Sequence, residues 1–324
     1  MLKVDLLNTK LWSKLGQRGT FGQAMLEIAK KDAKLMVLTA DLTNTSGLEK
    51  YKNTYPDKFL NVGIAEQNML GIAAGMAKEG RNVFATSFST FVSMRSYEQV
   101  RLGLGYMGLG VKVIGLASGF AMGMFGSSHY GFEDISLMRS VPGLTVLSPA
   151  DCTEVMKTML ALADFGGPAF VRLTGTMNNP IVYTSDYNFE IGKAVTLKEG
   201  RDIAIIATGS MVHASLKAAE ILEQNALSVA VINMHTIKPL DTSIIDKICR
   251  TFRLIVTVEE HSAVGGLGSA IAEYKTTLSQ SPPQYFIGLP DKFCKAGDYQ
   301  YLLEKHGLTS QLIAEDIAKR YDRI

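Results

Sequence analysis

The sequence predicts an α/β protein made of two consecutive open α/β domains with mostly parallel sheets. Three observations lead there. Short apolar runs such as KLMVLT, VKVIGLA, AFVRL, DIAIIATGS and LIVTVEE alternate with segments whose apolar residues recur at helical spacing. The alternation breaks once, over residues 178–198, where Asn, Tyr, Thr and Pro accumulate, and then starts afresh. A length of 324 residues also suits about two domains. The expected boundary lies near Tyr187, giving domains of residues 1–186 and 187–324.

In order, an N-terminal arm runs to about Gly16, and Arg18 leads into the helix TFGQAMLEIAKKD. The strand KLMVLT ends in Ala-Asp-Leu, which puts Asp41 at its carboxyl tip. Phe59 to Val62 reads as a short buried strand, Gly63 as a tight turn, and the residues from Glu66 as a helix. Met69, Ile72, Ala73 and Met76 give that helix an apolar face, while Gly71, Ala74 and Gly75 leave another face nearly bare. A strand over Val83–Thr86 follows and runs into SFSTFVSM. YEQVRLGLGYMGLG is a helix that dissolves into glycines. Its Gly103, Gly105 and Gly108 match a dinucleotide-binding expression only by chance, because they follow a helix and precede a strand. Beyond VKVIGLA come a Gly- and Met-rich loop, the helix ISLMRS, the strand LTVLSP, the helix DCTEVMKTMLALADF and the strand AFVRL. Residues 178–198 read as a linker with an edge hairpin. The second series then alternates strands and helices to two closing helices.

Composition narrows the classes of function. Hydrophobic residues at 47% and charged residues at 20% fit a protein with a sizeable core. The 33 basic and 31 acidic side chains leave a net charge of +2 with no basic run, so neither nucleic acid nor a membrane surface is expected as a partner. No apolar run approaches the roughly 20 residues that span a bilayer. MLKVDLLNTKLW has charges inside its apolar pattern and does not read as a secretory signal. Cys152, Cys249 and Cys294 are odd in number and far apart, as expected of reduced thiols in a cytoplasmic protein.

Chemistry concentrates after the second strand. A carboxylate in the first turn of a helix ordinarily just complements the helix dipole. Glu66, however, is followed by Phe88 and Phe91 at the end of the next strand. A carboxylate with a pair of aromatics is what a flat, weakly basic heteroaromatic ring needs, one to bond a ring nitrogen and the other to stack.

GIAEQNMLGIAAGMA followed by ATSFSTF resembles the pyrimidine-binding domain of thiamine-diphosphate enzymes of the transketolase family. INMHTIKPLD, TVEEHSAVGGLGSAIAE and YLLEKHGLTSQLIAEDI resemble its C-terminal domain. The resemblance implies that Glu66 contacts the aminopyrimidine ring and favours its imino form, with Phe88 and Phe91 stacking on that ring. A third aromatic of the family falls at Met94, a departure. Asp41 matches a segment near the cofactor, and His129 matches a substrate-facing histidine suited to bonding the donor's oxygens or moving a proton. Arg18 and Thr45 match two members of the family's substrate-phosphate clamp. The other two places hold Ala117 and Gly175, with Arg172 three residues before the latter, and Phe125 stands where the family reads a substrate hydroxyl with aspartate.

Gly265, Gly266 and Gly268 read as loop and packing glycines, His261 as structural, and Glu259 and Glu260 as a strand end. The family binds its diphosphate through Mg2+ held by a Gly-Asp-Gly run and a later asparagine, and no Gly-Asp-Gly occurs here. No metal ligand is therefore assigned to this chain. The resemblance implies the C-terminal subunit of a split transketolase, with a diphosphate-binding N-terminal subunit as partner in a two-plus-two heterotetramer. A homodimer contact between two copies of this chain is expected within it. The expected reaction moves a two-carbon ketol unit from a ketose to an aldehyde, with sugars other than the usual ones open. The alternatives are a beta subunit of a 2-oxoacid dehydrogenase or a deoxyxylulose-phosphate-synthase-like enzyme.

Overall fold

The computed structural model describes residues 4–324. The first half supplies strands β1 (Leu35–Thr39), β2 (Phe59–Asn61), β3 (Asn82–Phe88), β4 (Lys112–Ser118), β5 (Thr145–Leu147) and β6 (Ala169–Thr174). The second half supplies β7 (Val195–Lys198), β8 (Ile203–Ala207), β9 (Val229–Asn233), β10 (Thr236–Lys238), β11 (Leu254–Ser262) and β12 (Gln284–Leu289). Among the described residues they form a seven-stranded sheet ordered β10-β5-β6-β4-β3-β1-β2 and a five-stranded sheet ordered β12-β11-β8-β9-β7.

Both sheets are parallel except at one edge each, where β10 runs antiparallel to β5 and β7 antiparallel to β9. Fully buried strands such as β4 and β8 carry continuous apolar runs because helices cover both of their faces. β2, expected to be buried, is only half-buried with Asn61 exposed, since it forms the open edge of its sheet.

β10 belongs to the second half by sequence yet closes the edge of the first sheet, with Thr236 opposite Leu147 and Lys238 opposite Val146. Two other expectations change. The N-terminal arm is helical: the helix runs Leu6–Ala29, capped by Asp5 and kinked at Gly16, whose φ of 72° only glycine adopts readily. Residues 178–194 make no hairpin. They cross between the sheets as irregular chain tied down by Asp151, which accepts from the Val182 and Tyr183 amides at 2.8 and 2.9 Å. Glu154 adds bonds from the Tyr187 hydroxyl and the Asn233 amide.

The two halves also meet through buried charge. Arg172, 1% exposed, donates Nε to both oxygens of Asp134 at 3.0 and 2.9 Å. Its Nη2 reaches the carbonyls of Gly131 and Glu260. Burial alone would push Asp134 up, but Arg172, His261 and the Ser89 hydroxyl hold its pKa below the ordinary value.

Glu259 and Glu260 are more than a strand end. Glu259 accepts the Leu267 and Gly268 amides at 2.7 and 2.8 Å and so fills the N-terminus of the helix Leu267–Lys275. Glu260 accepts from the Phe120 amide and the Ser210 and Tyr299 hydroxyls. Gly266 and Gly268 are packing glycines, as expected: a β-carbon there would lie 2.0 Å from Glu259 Oε2 or 2.3 Å from the Phe286 ring.

Candidate functional site

Two of the four non-glycine residues with positive φ among the described residues lie at the carboxyl ends of parallel strands. Asp41 just beyond β1 and Ala117 near the end of β4 have φ of 57° and 54°, and Gly63 and Gly175 have 76° and 75°. Positive φ at non-glycine residues is costly and gathers where a scaffold aims side chains at a site.

Glu66 opens the helix Glu66–Lys78, whose cap residue Ala65 contributes no side-chain bond. Met69, Leu70 and Ala73 bury that helix against the core. Glu66 is only 3% exposed; its Oε1 accepts from Ser87 Oγ at 3.3 Å and its Oε2 from Arg95 Nη1 at 2.8 Å. The Arg95 guanidinium lies 4.1 Å from the centre of the Phe91 ring.

Phe88 ends β3, and Phe91 opens a π-helical turn, Phe91–Arg95. The extra residue in that turn shows in the bond from the Ser96 amide to the Phe91 carbonyl, five residues back, at 3.2 Å. The two rings meet edge to face at 5.8 Å. His129 completes the group, 5.7 Å from Phe88 and 5.4 Å from Phe91, with Phe125 tilted over it at 5.0 Å. Its Nδ1 is 3.0 Å from Ser128 Oγ. The structure therefore brings Glu66, Phe88, Phe91 and His129 into one cluster.

Asp41 stands beside it, exposed at the tip of β1, and its amide donates to Asn61 Oδ1 at 3.0 Å. The same oxygen takes the Gly63 amide, so Asn61 ties Asp41 to the turn before Glu66. Arg18 lies on the first helix and Thr45 in the turn after β1, two elements that meet at Gly47. The Gly47 backbone there packs so closely that a β-carbon would lie 2.9 Å from the Arg18 carbonyl. Burial lowers the pKa of Arg18, and no acidic side chain among the described residues pairs with it. Arg172 cannot serve as a second cation for this pair, because its Nε and Nη2 are bonded inside the core.

Sequence reasoning missed Arg95, Ser87 and Asn61. Only Arg95 left a trace, four residues after Phe91, the spacing that sets a cation over a ring on a helix. Among the described residues, no three His, Cys, Asp or Glu side chains converge as metal ligands, and no helix is long and apolar enough to cross a membrane. A cavity of about 970 Å³ lies elsewhere, between the helices Leu6–Ala29 and Cys152–Ala163.

A sheet whose strand ends present a buried carboxylate beside paired rings suits the binding of a flat nitrogen heterocycle, and matches to known families agree. Residues 13–178 match "Transketolase, pyrimidine binding domain" and residues 192–313 match "Transketolase, C-terminal domain". The chain belongs to the transketolase family, whose enzymes depend on thiamine diphosphate. Within it, the chain is similar to the C-terminal part of transketolases divided between two chains. A Methanocaldococcus jannaschii protein named as a transketolase C-terminal section is 39% identical over 304 residues, covering 93% of this chain and 95% of that one. The 6-deoxy-6-sulfo-D-fructose transketolase subunit SqwH of a Clostridium species is 37% identical, covering 94% of each. Among solved structures, one titled "Split gene transketolase, inactive beta4 tetramer" superposes with a TM-score of 0.84 at 34% identity, over 94% of this chain and 97% of that one.

Proposed function

We propose that this chain is the pyrimidine-binding and C-terminal subunit of a two-component, thiamine-diphosphate-dependent transketolase, with its domains divided near residue 186. The observation that carries the reading is the Glu66 carboxylate, buried and already holding a flat delocalised cation against the face of Phe91. That guanidinium is a stand-in for a protonated aminopyrimidine, so the residues present fit the cofactor's ring. When bound, thiamine diphosphate supplies the nucleophilic carbon that takes up and passes on a two-carbon ketol unit.

This chain's residues do the rest. Glu66 holds a proton at the ring nitrogen it faces, and Phe88 and Phe91 orient the ring. His129, half-buried among three phenylalanine rings, bonds the donor's oxygens and moves a proton there. Asp41 lines the cofactor end of the site. A diphosphate requires a counter-charge, and the proposed source is Mg2+ held by the companion subunit. The working assembly in this reading is cytoplasmic, two copies of each chain, with the copies of this one in contact.

Arg18 and Thr45 receive the charged end of the sugar. Ala117 and Gly175 remove two polar contacts from that end, and Phe125 covers His129 with an apolar ring, so a sugar other than the usual pentose and hexose phosphates is favoured. The name of the Clostridium relative, a transketolase subunit for a sulfonated sugar, supports this. Calorimetry with thiamine diphosphate and Mg2+ tests the reading: heat of binding is expected only when the companion subunit is present. Tight Mg2+-dependent binding by this chain alone would overturn the two-component assignment.

A further inference from the structure

Arg95 enters neither the sequence argument nor the cofactor chemistry, yet it touches the residue on which both depend. It ends the π-helical turn Phe91–Arg95, and its carbonyl is fixed by Gln67 Nε2 at 3.0 Å, from the helix that begins with Glu66. Its side chain then folds back over Phe91, at 4.1 Å, to reach Glu66 Oε2 at 2.8 Å. These are the two contacts a flat, amidine-like ring would make: a charge-assisted bond to the carboxylate and stacking on the aromatic face. A ligand ring and the guanidinium cannot both occupy them.

The burial of the partners is unequal. The Glu66 side chain is 3% exposed and that of Arg95 is 46% exposed. A carboxylate so deeply placed is costly when unpaired, whereas a half-exposed arginine returns to water easily. Among the described residues the guanidinium makes no hydrogen bond other than the one to Glu66. It is held at a single point, on a flexible stem. We propose that Arg95 is a positioning residue that acts as an exchangeable place-holder: it neutralises Glu66 and covers Phe91 while the ring site is empty, and it must swing out before the ring can enter. The proposal rests on the thiamine reading of the site.

Two measurements test it on the full chain. In the isolated subunit, Arg95→Met is expected to lower the denaturation midpoint clearly more in the Glu66 background than in a Glu66→Gln background, where only a neutral hydrogen bond and the Phe91 contact are lost. Equal effects in both backgrounds would mean that the pair does not couple, and the proposal falls. In the assembly with the companion subunit, Arg95→Met is expected to tighten thiamine diphosphate binding roughly fivefold, the competition lost with one partly exposed ion pair. Arg95→Lys, which keeps the charge without the plane, should lie between. Arg101→Met serves as a control, since Arg101 pairs with Glu98 on the surface and should leave binding alone. Unchanged or weaker binding in Arg95→Met overturns the place-holder and leaves the thiamine reading standing. No binding by wild type or variant, with the companion present, removes that reading and this inference together.

Discussion

Glu66 and His235 are both buried and ionisable, and they invite opposite experiments. Glu66→Gln keeps an acceptor for Arg95 but cannot hold a proton at a ring nitrogen. Turnover by the reconstituted enzyme is expected to fall by about a hundredfold or more while the melting temperature of the isolated chain stays near wild type. Near-normal turnover would remove Glu66 from its role. His235 belongs to the core: it is 1% exposed, stacks on Phe189 at 4.5 Å, and burial pushes its pKa from 6.5 down to about 4. The unfolded chain takes up that proton first. Its share of stability is therefore intact above pH 6.5 and declines as the pH falls from 6.5 towards 4. His261, with a pKa also lowered to about 4 by burial, acts in the same direction. At pH 5 each accounts for at most about 2 kcal/mol. Urea midpoints at pH 7.5 and pH 5 should differ, and His235→Phe should narrow the gap; an unaltered gap would show that the acid sensitivity lies elsewhere.

At the scale of elements, two mid-helix glycines make a matched pair. A β-carbon on Gly22 would lie 2.0 Å from the Gly47 carbonyl, where the first helix braces the turn bearing Thr45. Gly71, on the helix behind Glu66, has nothing within 4 Å. Gly22→Ala is expected to destabilise by about 1–3 kcal/mol, while Gly71→Ala should leave the isolated chain unchanged or slightly more stable. Melting temperatures of the two variants check the contrast, and equal shifts would refute it. The periodic part of the architecture was legible beforehand because apolar periodicity is a local property. KLMVLT, VKVIGLA and AFVRL are strands β1, β4 and β6, and the apolar stripe on Glu66–Lys78 faces the core. The turn at Phe91–Arg95 was not legible, because one extra residue per turn leaves no mark on composition. Arg95 was visible only as a spacing, and Glu259 and Glu260 read as a strand end because their partners, the Leu267 and Phe120 amides, belong to other elements. β10 escaped notice for the same reason: its partner β5 precedes it by about ninety residues, with three strands of another sheet between them in sequence.

At the scale of the molecule, the halves share a sheet edge and a buried charge. The first sheet takes its last strand from the second half, and the Arg172–Asp134 pair bonds the Glu260 carbonyl across the division. A chain ending at residue 186 would leave β5 as a bare edge and Arg172 short of an acceptor, an arrangement prone to aggregation. It is expected to bind dyes that report exposed apolar surface and to lack a cooperative melt. The whole chain should unfold in one transition, seen alike by circular dichroism and by Trp12, buried in the first half. A sharp melt from the fragment would show the halves to be autonomous.

The borrowed strand also bears on how chains of this kind can be recombined. A hybrid with its seam at residue 186 would graft a stranger's Thr236–Lys238 onto the native β5, and a one-residue slip there would turn every side chain of the strand over. A successful hybrid carries the three residues of β10 with the front half, as an inlay in the foreign back half.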